Sequence, residues 1–175
     1  ETRILKVFYG QDALSDAPTN DSSVRRQYDS QRKLCILDLC PGVDPFFTWE
    51  DGRALVIPFA PPIGYSFAKL ALSGPAIDQI FPVLITAFES LAMVHTQGVV
   101  HRSLRPDRVW WEPATGRIRF SDFVIARIDG METVVDRADE FDIDHPYRAA
   151  ECRIDLAAAS PKSDVYSLAA IMLNW

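Results

Sequence analysis

Residues 100–127 read VHRSLRPDRVWWEPATGRIRFSDFVIAR, and this stretch decides how the rest of the chain is interpreted. It begins with a charged loop, His101–Arg108, and ends with the tripeptide Asp122-Phe123-Val124. Between them, turn-forming residues separate two short apolar runs, Val109-Trp110-Trp111 and Ile118-Arg119-Phe120, which is typical of a β-hairpin. The stretch therefore predicts a polar loop, a hairpin and a second polar segment.

The composition is that of an ordinary soluble domain. Of the 175 residues, 48% are hydrophobic, which is enough for a sizeable core, and 24% are charged. The net charge of −6 disfavours a nucleic-acid-binding surface, because contacts to phosphates need clustered Lys and Arg. No apolar run approaches the roughly 20 residues that cross a bilayer, so we expect no membrane segment.

Three cysteines, Cys35, Cys40 and Cys152, form an odd number and show no metal-ligand spacing. Reduced, buried thiols are the simplest interpretation, and they suit a cytoplasmic protein. Nothing at the N-terminus resembles a signal peptide.

Both ends of the sequence fall within predicted regular structure. A β-favouring run, Ile4–Phe8, predicts a strand at the start. The last residues, Leu168–Trp175, continue an apolar helix that no glycine or polar cap ends. Natural termini are more often polar and frayed, so we expect an excerpt of a longer polypeptide.

The first half of the chain predicts strands around one helix. Residues 10–23 form a loop whose last serines cap a helix from about Val24. One face of this helix carries Val24, Tyr28, Gln31 and Cys35, whereas its basic residues are expected in solvent: Arg25, Arg26, Arg32 and Lys33.

A second hairpin is predicted from two runs that flank an Asp-Gly turn, Phe46–Trp49 and Arg53–Pro58. The proline-rich run Pro58–Pro62 breaks regular structure and is interpreted as a stiff linker.

The second half is predicted to be mostly helical. Apolar residues recur at helical spacing from Ile80 to His95, and Pro82 either lies in the first turn or kinks a longer helix. Residues 128–146 are acidic and aperiodic, which predicts a long loop before the last helix starts at Ser160-Pro161. The pattern indicates an α+β fold, with a sheet-rich part followed by a helical part.

Four motifs in a fixed order carry a resemblance to a known family. They are VVHR at 99–102, FSDF at 120–123, YRAAE at 147–151 and PKSDVYSL at 161–168. The chain resembles eukaryotic-type protein kinases over nearly its whole length, most specifically in the last motif. The resemblance implies a partial bilobal protein-kinase-like fold, with a small N-lobe over 1–57, a hinge over 58–64 and a helical C-lobe over 65–175 that is truncated in its central helix.

The resemblance implies ATP and Mg²⁺ as cofactors. Lys6 matches the strand lysine that holds the phosphates of ATP, and Asp122 matches a metal-binding carboxylate. Ile57 falls at the residue that gates the adenine pocket, with Phe59 and Ala60 on the adenine-binding hinge.

Several of these positions depart from the family pattern. Gln27 stands where a glutamate would pair with Lys6, and Trp110 stands where a small aliphatic group would lie beneath adenine. Val124 replaces a glycine that gives the loop backbone its freedom. We therefore expect a poorly oriented Lys6, a partly filled adenine pocket, and weak or absent binding of ATP and Mg²⁺.

The catalytic positions are altered as well. Ser103 stands in place of the carboxylate near the attacking hydroxyl, and a serine neither carries a negative charge at neutral pH nor accepts a proton efficiently. Arg108 replaces the asparagine that ligates the second Mg²⁺, and a cation there would repel the metal, although it could contact phosphate. Arg105 replaces a lysine that contacts the transferred phosphate, so that charge is kept.

Three further polar residues are interpreted as scaffold or as incidental. The resemblance implies that His101 packs beneath the Asp122-Phe123 pair and that Asp164 hydrogen-bonds the backbone of the charged loop. His95 shows no partner pattern and is interpreted as incidental.

We expect a pseudokinase that signals by conformation and by binding other proteins or other domains of its own polypeptide. Two alternatives stay open: an active, divergent Ser/Thr kinase that uses Asp107 or another carboxylate as base, and an ATP sensor without turnover. The stretch Ala114-Thr115-Gly116 and the spacer from Cys152 to Ser160 resemble the N-terminal kinase-like domains of large hybrid sensor histidine kinases, which implies a role in a phosphorelay.

Overall fold

The computed structural model of the chain describes residues 2–9, 22–49, 54–74, 76–131 and 145–173. Within these residues it has five α-helices and three small sheets. The helices are α1 (Ser22–Cys35), α2 (Phe67–Leu72), α3 (Ile77–Thr96), α4 (Ala150–Ile154) and α5 (Pro161–Leu173), with a 3₁₀ turn at Leu156–Ala158. The strands are β1 (Ile4–Tyr9), β2 (Phe47–Trp49), β3 (Ala54–Phe59), β4 (Tyr65–Ser66), β5 (Val99–Val100), β6 (Val109–Glu112), β7 (Arg117–Phe120) and β8 (Arg127–Ile128).

This mixture of helices and small sheets is compatible with a partial kinase-like fold. The strand and hairpin predictions are confirmed in position, and each hairpin pairs its strands antiparallel. The predicted Asp-Gly turn at 50–53 lies outside the described residues, as do residues 10–21 and 132–144 of the two predicted loops. The division into lobes at 58–64 stays a prediction.

The first sheet has the order β1-β3-β2 and carries the predicted lysine strand. Its register sets Lys6 opposite Ile57, and Phe47 opposite Val56. The interpretation of Pro58–Pro62 as a linker is wrong at its start, because β3 continues through Phe59. A proline is tolerated there because the pairing of β3 with β2 ends at Val56, and the Pro58 carbonyl oxygen still accepts a hydrogen bond from the Asp44 N–H at 3.0 Å.

Helix α1 packs on β3 and also contacts β8. Its buried face is wider than the sequence indicates, because the helix is covered from both sides. Arg26 is only 5% exposed, so the expectation that this residue lies in solvent is wrong, while Arg25, Arg32 and Lys33 are exposed as predicted. Gln27 and Gln31 are also buried, and both point to the cleft described below.

Helix α3 is the core helix of the second half and contacts β5, β7 and α5. Pro82 lies inside the helix as its sixth residue, which settles the choice between a first-turn proline and a longer helix. One stretch of this helix, Asp78–Thr96, is long and apolar enough to cross a membrane, by length and composition only. The absence of a membrane segment stays a prediction.

The other two sheets place the charged loop. The β6–β7 hairpin pairs with β4, and β5 pairs with β8, whose second residue, Ile128, is the first residue of the predicted 128–146 loop. The loop 101–108 therefore leaves β5 and enters β6. Two of the cysteines, Cys40 and Cys152, are buried as expected, whereas Cys35 is half-buried.

Candidate functional site

A cleft of about 380 Å³ lies between β1 and α1 on one side and the β6–β7 hairpin on the other. This volume is within the usual range of small-molecule sites, roughly 300–1,000 Å³. Five of the residues predicted for the site line it: Lys6, Phe59, Arg108, Trp110 and Asp122. The structure thus brings together side chains from β1, β3, the charged loop, the hairpin and the segment after β7.

Asp122 is the centre of charge in the cleft. Its Oδ1 atom contacts the Lys6 ammonium group, and its Oδ2 atom lies 2.6 Å from Nη2 of Arg108. The carboxylate is thus shared between two cations. All three side chains are partly shielded from solvent, with exposures of 31% for Lys6, 24% for Asp122 and 16% for Arg108.

The pKa of Asp122 follows from this environment. Burial opposes ionisation, but the positive charges of Lys6 and Arg108 outweigh burial, so the pKa of Asp122 lies below its ordinary value. Asp122 also has a φ of 68°, in the left-handed region that few residues other than glycine adopt. Packing and ion pairs hold it in that conformation.

Arg108 links Asp122 to Ser103. Its Nη1 atom donates to the Ser103 carbonyl oxygen at 2.9 Å and also contacts the Ser103 hydroxyl. The backbone of Arg108 is fixed by two hydrogen bonds, one to Arg105 at 2.9 Å and one from Ser121 at 3.0 Å. The guanidinium group therefore connects Ser103, which the sequence predicts at the base position, with Asp122, which it predicts at a metal position.

Gln27 holds Lys6 in the cleft. Its Oε1 atom accepts a hydrogen bond from the Lys6 ammonium at 3.0 Å, and its amide nitrogen donates to Oε1 of Gln31 at 3.1 Å. The expectation of a poorly oriented Lys6 is wrong, because Gln27, which is hydrogen-bonded to Gln31, and Asp122 together hold the Lys6 ammonium group. Because glutamine is neutral, it adds no negative charge beside Lys6.

Two aromatic side chains, Phe59 and Trp110, also line the cleft, as does Pro62. Trp110 is half-buried, and its indole nitrogen donates to the Ser121 hydroxyl at 3.3 Å. The indole therefore lines the cleft, which stays open beside it, and the partial filling of an adenine pocket stays a prediction.

Three other predicted residues lie outside the cleft lining. Ile57 is fully buried and packs with Val24 and Leu55. Ala60 donates its backbone N–H to Gly42 at 2.8 Å. Arg105 extends toward Asp107, with Nε 3.6 Å from Oδ1 of that carboxylate.

Asp164 anchors the charged loop to α5. Its carboxylate accepts the backbone N–H groups of His101 at 2.7 Å and Arg102 at 2.8 Å, which confirms the predicted role. The interpretation of His95 as incidental is wrong, because its Nε2 atom lies 3.0 Å from the same carboxylate. Sequence spacing carried no signal for this contact, since 69 residues separate the two partners.

His101 packs on Phe123 with ring centroids 4.6 Å apart, as predicted. Its Nε2 atom lies 2.9 Å from the carbonyl oxygen of Ser121, which ties the loop before β6 to the segment after β7. Burial lowers the pKa of His101 below its ordinary value, so the ring is neutral near pH 7. Val124 is also buried and packs with Ile125 and Leu156, so this segment is held by side-chain contacts.

Arg102 was missed by the sequence analysis. It is 3% exposed, and its guanidinium nitrogens have no hydrogen-bond partner among the described residues. Burial and the neighbouring charges of Arg127 and Arg26 lower its pKa to about 10. No spacing rule predicts this cluster, because the three arginines come from α1, the charged loop and β8.

The site does not fit a catalytic Mg²⁺ ion. Mg²⁺ takes oxygen ligands at about 2.0–2.1 Å in near-octahedral geometry. Both oxygens of Asp122 are already in contact with cations, and the described residues contain no group of three His, Cys, Asp or Glu side chains placed to hold a metal. The Arg108 guanidinium lies where a metal ion on Oδ2 would have to bind.

Comparison with known proteins finds weak similarity to kinases. The chain is 27% identical over 108 residues to "Glycogen synthase kinase 1" of Pyricularia oryzae, covering 61% of this chain and 26% of that protein. It is 29% identical over 136 residues to a probable cell division protein kinase of Encephalitozoon cuniculi, covering 76% and 41%. It is 28% identical over 98 residues to "Sperm motility kinase 1" of Mus musculus, covering 54% and 19%.

No family model matches the chain. The chain spans about a quarter and two fifths of the length of the first two of these relatives. Together with the order of the elements, the similarities support a protein-kinase-like relationship for this chain.

Proposed function

We propose that this chain is a kinase-like signalling module that does not transfer phosphate. The observation that carries the proposal is the single guanidinium of Arg108 in contact with both Ser103 and Asp122. Phosphoryl transfer depends on positioning and on metal ions that neutralise charge on the transferred group. A cation and a hydrogen-bonded hydroxyl at the positions that the resemblance assigns to a metal ligand and to the base support the proposal.

The alternative of an active, divergent kinase needs another base. Asp107 is the nearest carboxylate in the charged loop, but its side chain is 58% exposed and faces Arg105. These features favour the inactive module over the divergent kinase.

A phosphate-transfer assay tests this proposal. The purified protein is incubated with γ-labelled ATP, Mg²⁺ or Mn²⁺, and a general protein substrate, beside the variant Asp122→Ala. We expect label incorporation by the protein to equal that by the variant. Incorporation that disappears in Asp122→Ala, with both proteins folded by circular dichroism, would overturn the proposal.

The wider role that we propose is regulatory: a cytoplasmic module that binds other proteins or other domains of its polypeptide within a phosphorelay, as the resemblance to hybrid sensor histidine kinases implies. Exposed apolar residues on two helices support a binding role: Phe81 and Ile85 on α3, and Val165 and Tyr166 on α5. Cross-linking of the full polypeptide from the exposed Lys162 on α5 checks this. Cross-links to another domain or protein are expected, and cross-links confined to this chain would contradict the role.

A second candidate function is a nucleotide sensor without turnover. The cleft favours it because its lining combines Lys6 and Arg108, which suit phosphates, with Phe59 and Trp110, which suit a planar ring. Thermal unfolding with millimolar ATP separates the sensor from a pure scaffold. A shift that is lost in Lys6→Met supports the sensor, and no shift excludes it.

A further inference from the structure

We infer that Arg108 serves as a tethered cation in place of the divalent metal, so that the cleft binds a nucleoside triphosphate without Mg²⁺. The inference rests on the proposed absence of phosphate transfer, and it names the form of the ligand that the cleft takes. Three observations carry it: the fixed position of Arg108, the charge around Asp122, and the lining of the cleft, which combines cations with aromatic rings.

The first observation is that Arg108 is held in place. Its backbone is hydrogen-bonded on both sides, and its guanidinium group contacts Ser103 and Asp122 at once. The side chain is 16% exposed, so it lies in the cleft wall. A planar guanidinium that is already positioned loses little conformational entropy when it binds phosphate.

The second observation is the balance of charge. Both oxygens of Asp122 are in contact with a side-chain cation, Oδ1 with Lys6 and Oδ2 with Arg108. A divalent ion at Asp122 would add two positive charges beside two existing cations. A metal-free triphosphate brings negative charge instead, and arginine binds phosphate oxygens through charge-assisted hydrogen bonds. The local charge thus favours the free anion over its magnesium complex.

The third observation is the shape of the cleft. Its lining combines two cations, Lys6 and Arg108, with two aromatic side chains, Phe59 and Trp110. An anion that also carries a planar ring matches both kinds of side chain. This points to a nucleotide and away from a simple inorganic anion.

These observations assign Asp122 a different task from metal binding. Its two oxygens hold Lys6 and Arg108 in the cleft, so it is a positioning residue for the cations. If a metal were required, Asp122→Asn would abolish binding of ATP. If Arg108 replaces the metal, the same variant holds the two cations less firmly but leaves both in the cleft, so binding in EDTA weakens and is not abolished.

Isothermal titration calorimetry with ATP tests the inference directly. We expect the protein to bind ATP in EDTA at least as tightly as in excess Mg²⁺. Arg108→Asn should bind ATP in EDTA about tenfold more weakly, the loss expected for one charge-assisted contact, and should bind more tightly once Mg²⁺ is added. The matched control Arg32→Asn, at an exposed position on α1, should behave as the unmodified protein.

Two probes separate the ends of the ligand. Inorganic tripolyphosphate should bind in EDTA more weakly than ATP, with the same dependence on Arg108, whereas adenosine should show none. Circular dichroism of each variant establishes that it is folded.

Binding of ATP that requires Mg²⁺, binding in EDTA unchanged by Arg108→Asn, loss of binding in folded Asp122→Asn, or no binding at millimolar ATP would each overturn the inference. None of these outcomes touches the proposed absence of phosphate transfer, which the labelled-ATP assay decides on its own.

Discussion

At the scale of single residues, the main feature of the cleft is that the Asp122 carboxylate contacts two cations, Lys6 and Arg108. The sequence predicted that Arg108 would repel a metal, and the structure adds what it does instead, which is to bind Asp122 and Ser103. Loop spacing gives no distances, so these contacts could not be read from the sequence. At Gln27 the sequence showed that a neutral residue replaces the expected glutamate, but it did not show the hydrogen bond from Lys6.

The ionisation of Asp122 should stabilise the fold. Its pKa is lowered in the folded state, so its contribution is fully present above the unfolded value, about 3.9, and is lost as the pH falls through the folded value. Urea unfolding between pH 3 and pH 7 should therefore show a steeper loss of stability below about pH 4 for the protein than for Asp122→Asn. Asparagine is the chosen substitute because it tolerates the left-handed backbone at this position. Equal pH profiles for the two proteins would contradict the ion pairs.

At the scale of elements, the charged loop depends on α5. Asp164 accepts two buried backbone N–H groups, so Asp164→Ala leaves both without a partner. Each unsatisfied buried group costs about 1–3 kcal/mol, and we expect a loss of about 2–5 kcal/mol in the free energy of unfolding. The control Asp78→Ala, in the exposed first turn of α3, should lose less than about 1 kcal/mol. A similar loss in both variants would contradict the anchoring role.

A second link joins the segment after α1 to the β6–β7 hairpin. Asp38 accepts hydrogen bonds from Arg119 at 2.9 and 3.1 Å, and Arg119 also donates to Glu112 at 2.9 Å. Because Asp38 is partly exposed, Asp38→Asn should cost only about 1–2 kcal/mol, and less at high salt. Denaturant unfolding at low and high ionic strength checks this. A cost that does not depend on salt would contradict an electrostatic link.

Elements were predicted better than contacts because they follow local rules. The apolar period of α3, the turn residues of the two hairpins and the Ser160-Pro161 start of α5 are encoded within a few neighbouring residues. The partners of His95 and the burial of Arg26 depend on residues far apart in the sequence. Pro58 is the opposite case. The local rule that proline breaks regular structure failed there, because Pro58 lies on β3 beyond its pairing with β2.

At the scale of the whole molecule, the contacts that hold the loops match the resemblance, whereas the charged residues in the cleft depart from it. Asp164, His101 and Phe123 hold the charged loop and the segment after β7 as the resemblance implies. The cleft between β1 and the hairpin is open, yet its central carboxylate binds two side-chain cations. The contact of Arg108 with this carboxylate is the basis of our proposal that the chain binds and does not transfer phosphate.

The most direct measurement is a crystal structure of the protein grown with ATP and Mn²⁺, with anomalous data collected for manganese. The account predicts the Arg108 guanidinium within hydrogen-bonding distance of Asp122 and no anomalous peak at that carboxylate. A manganese peak coordinated by Asp122, with Arg108 displaced from it, would contradict the account.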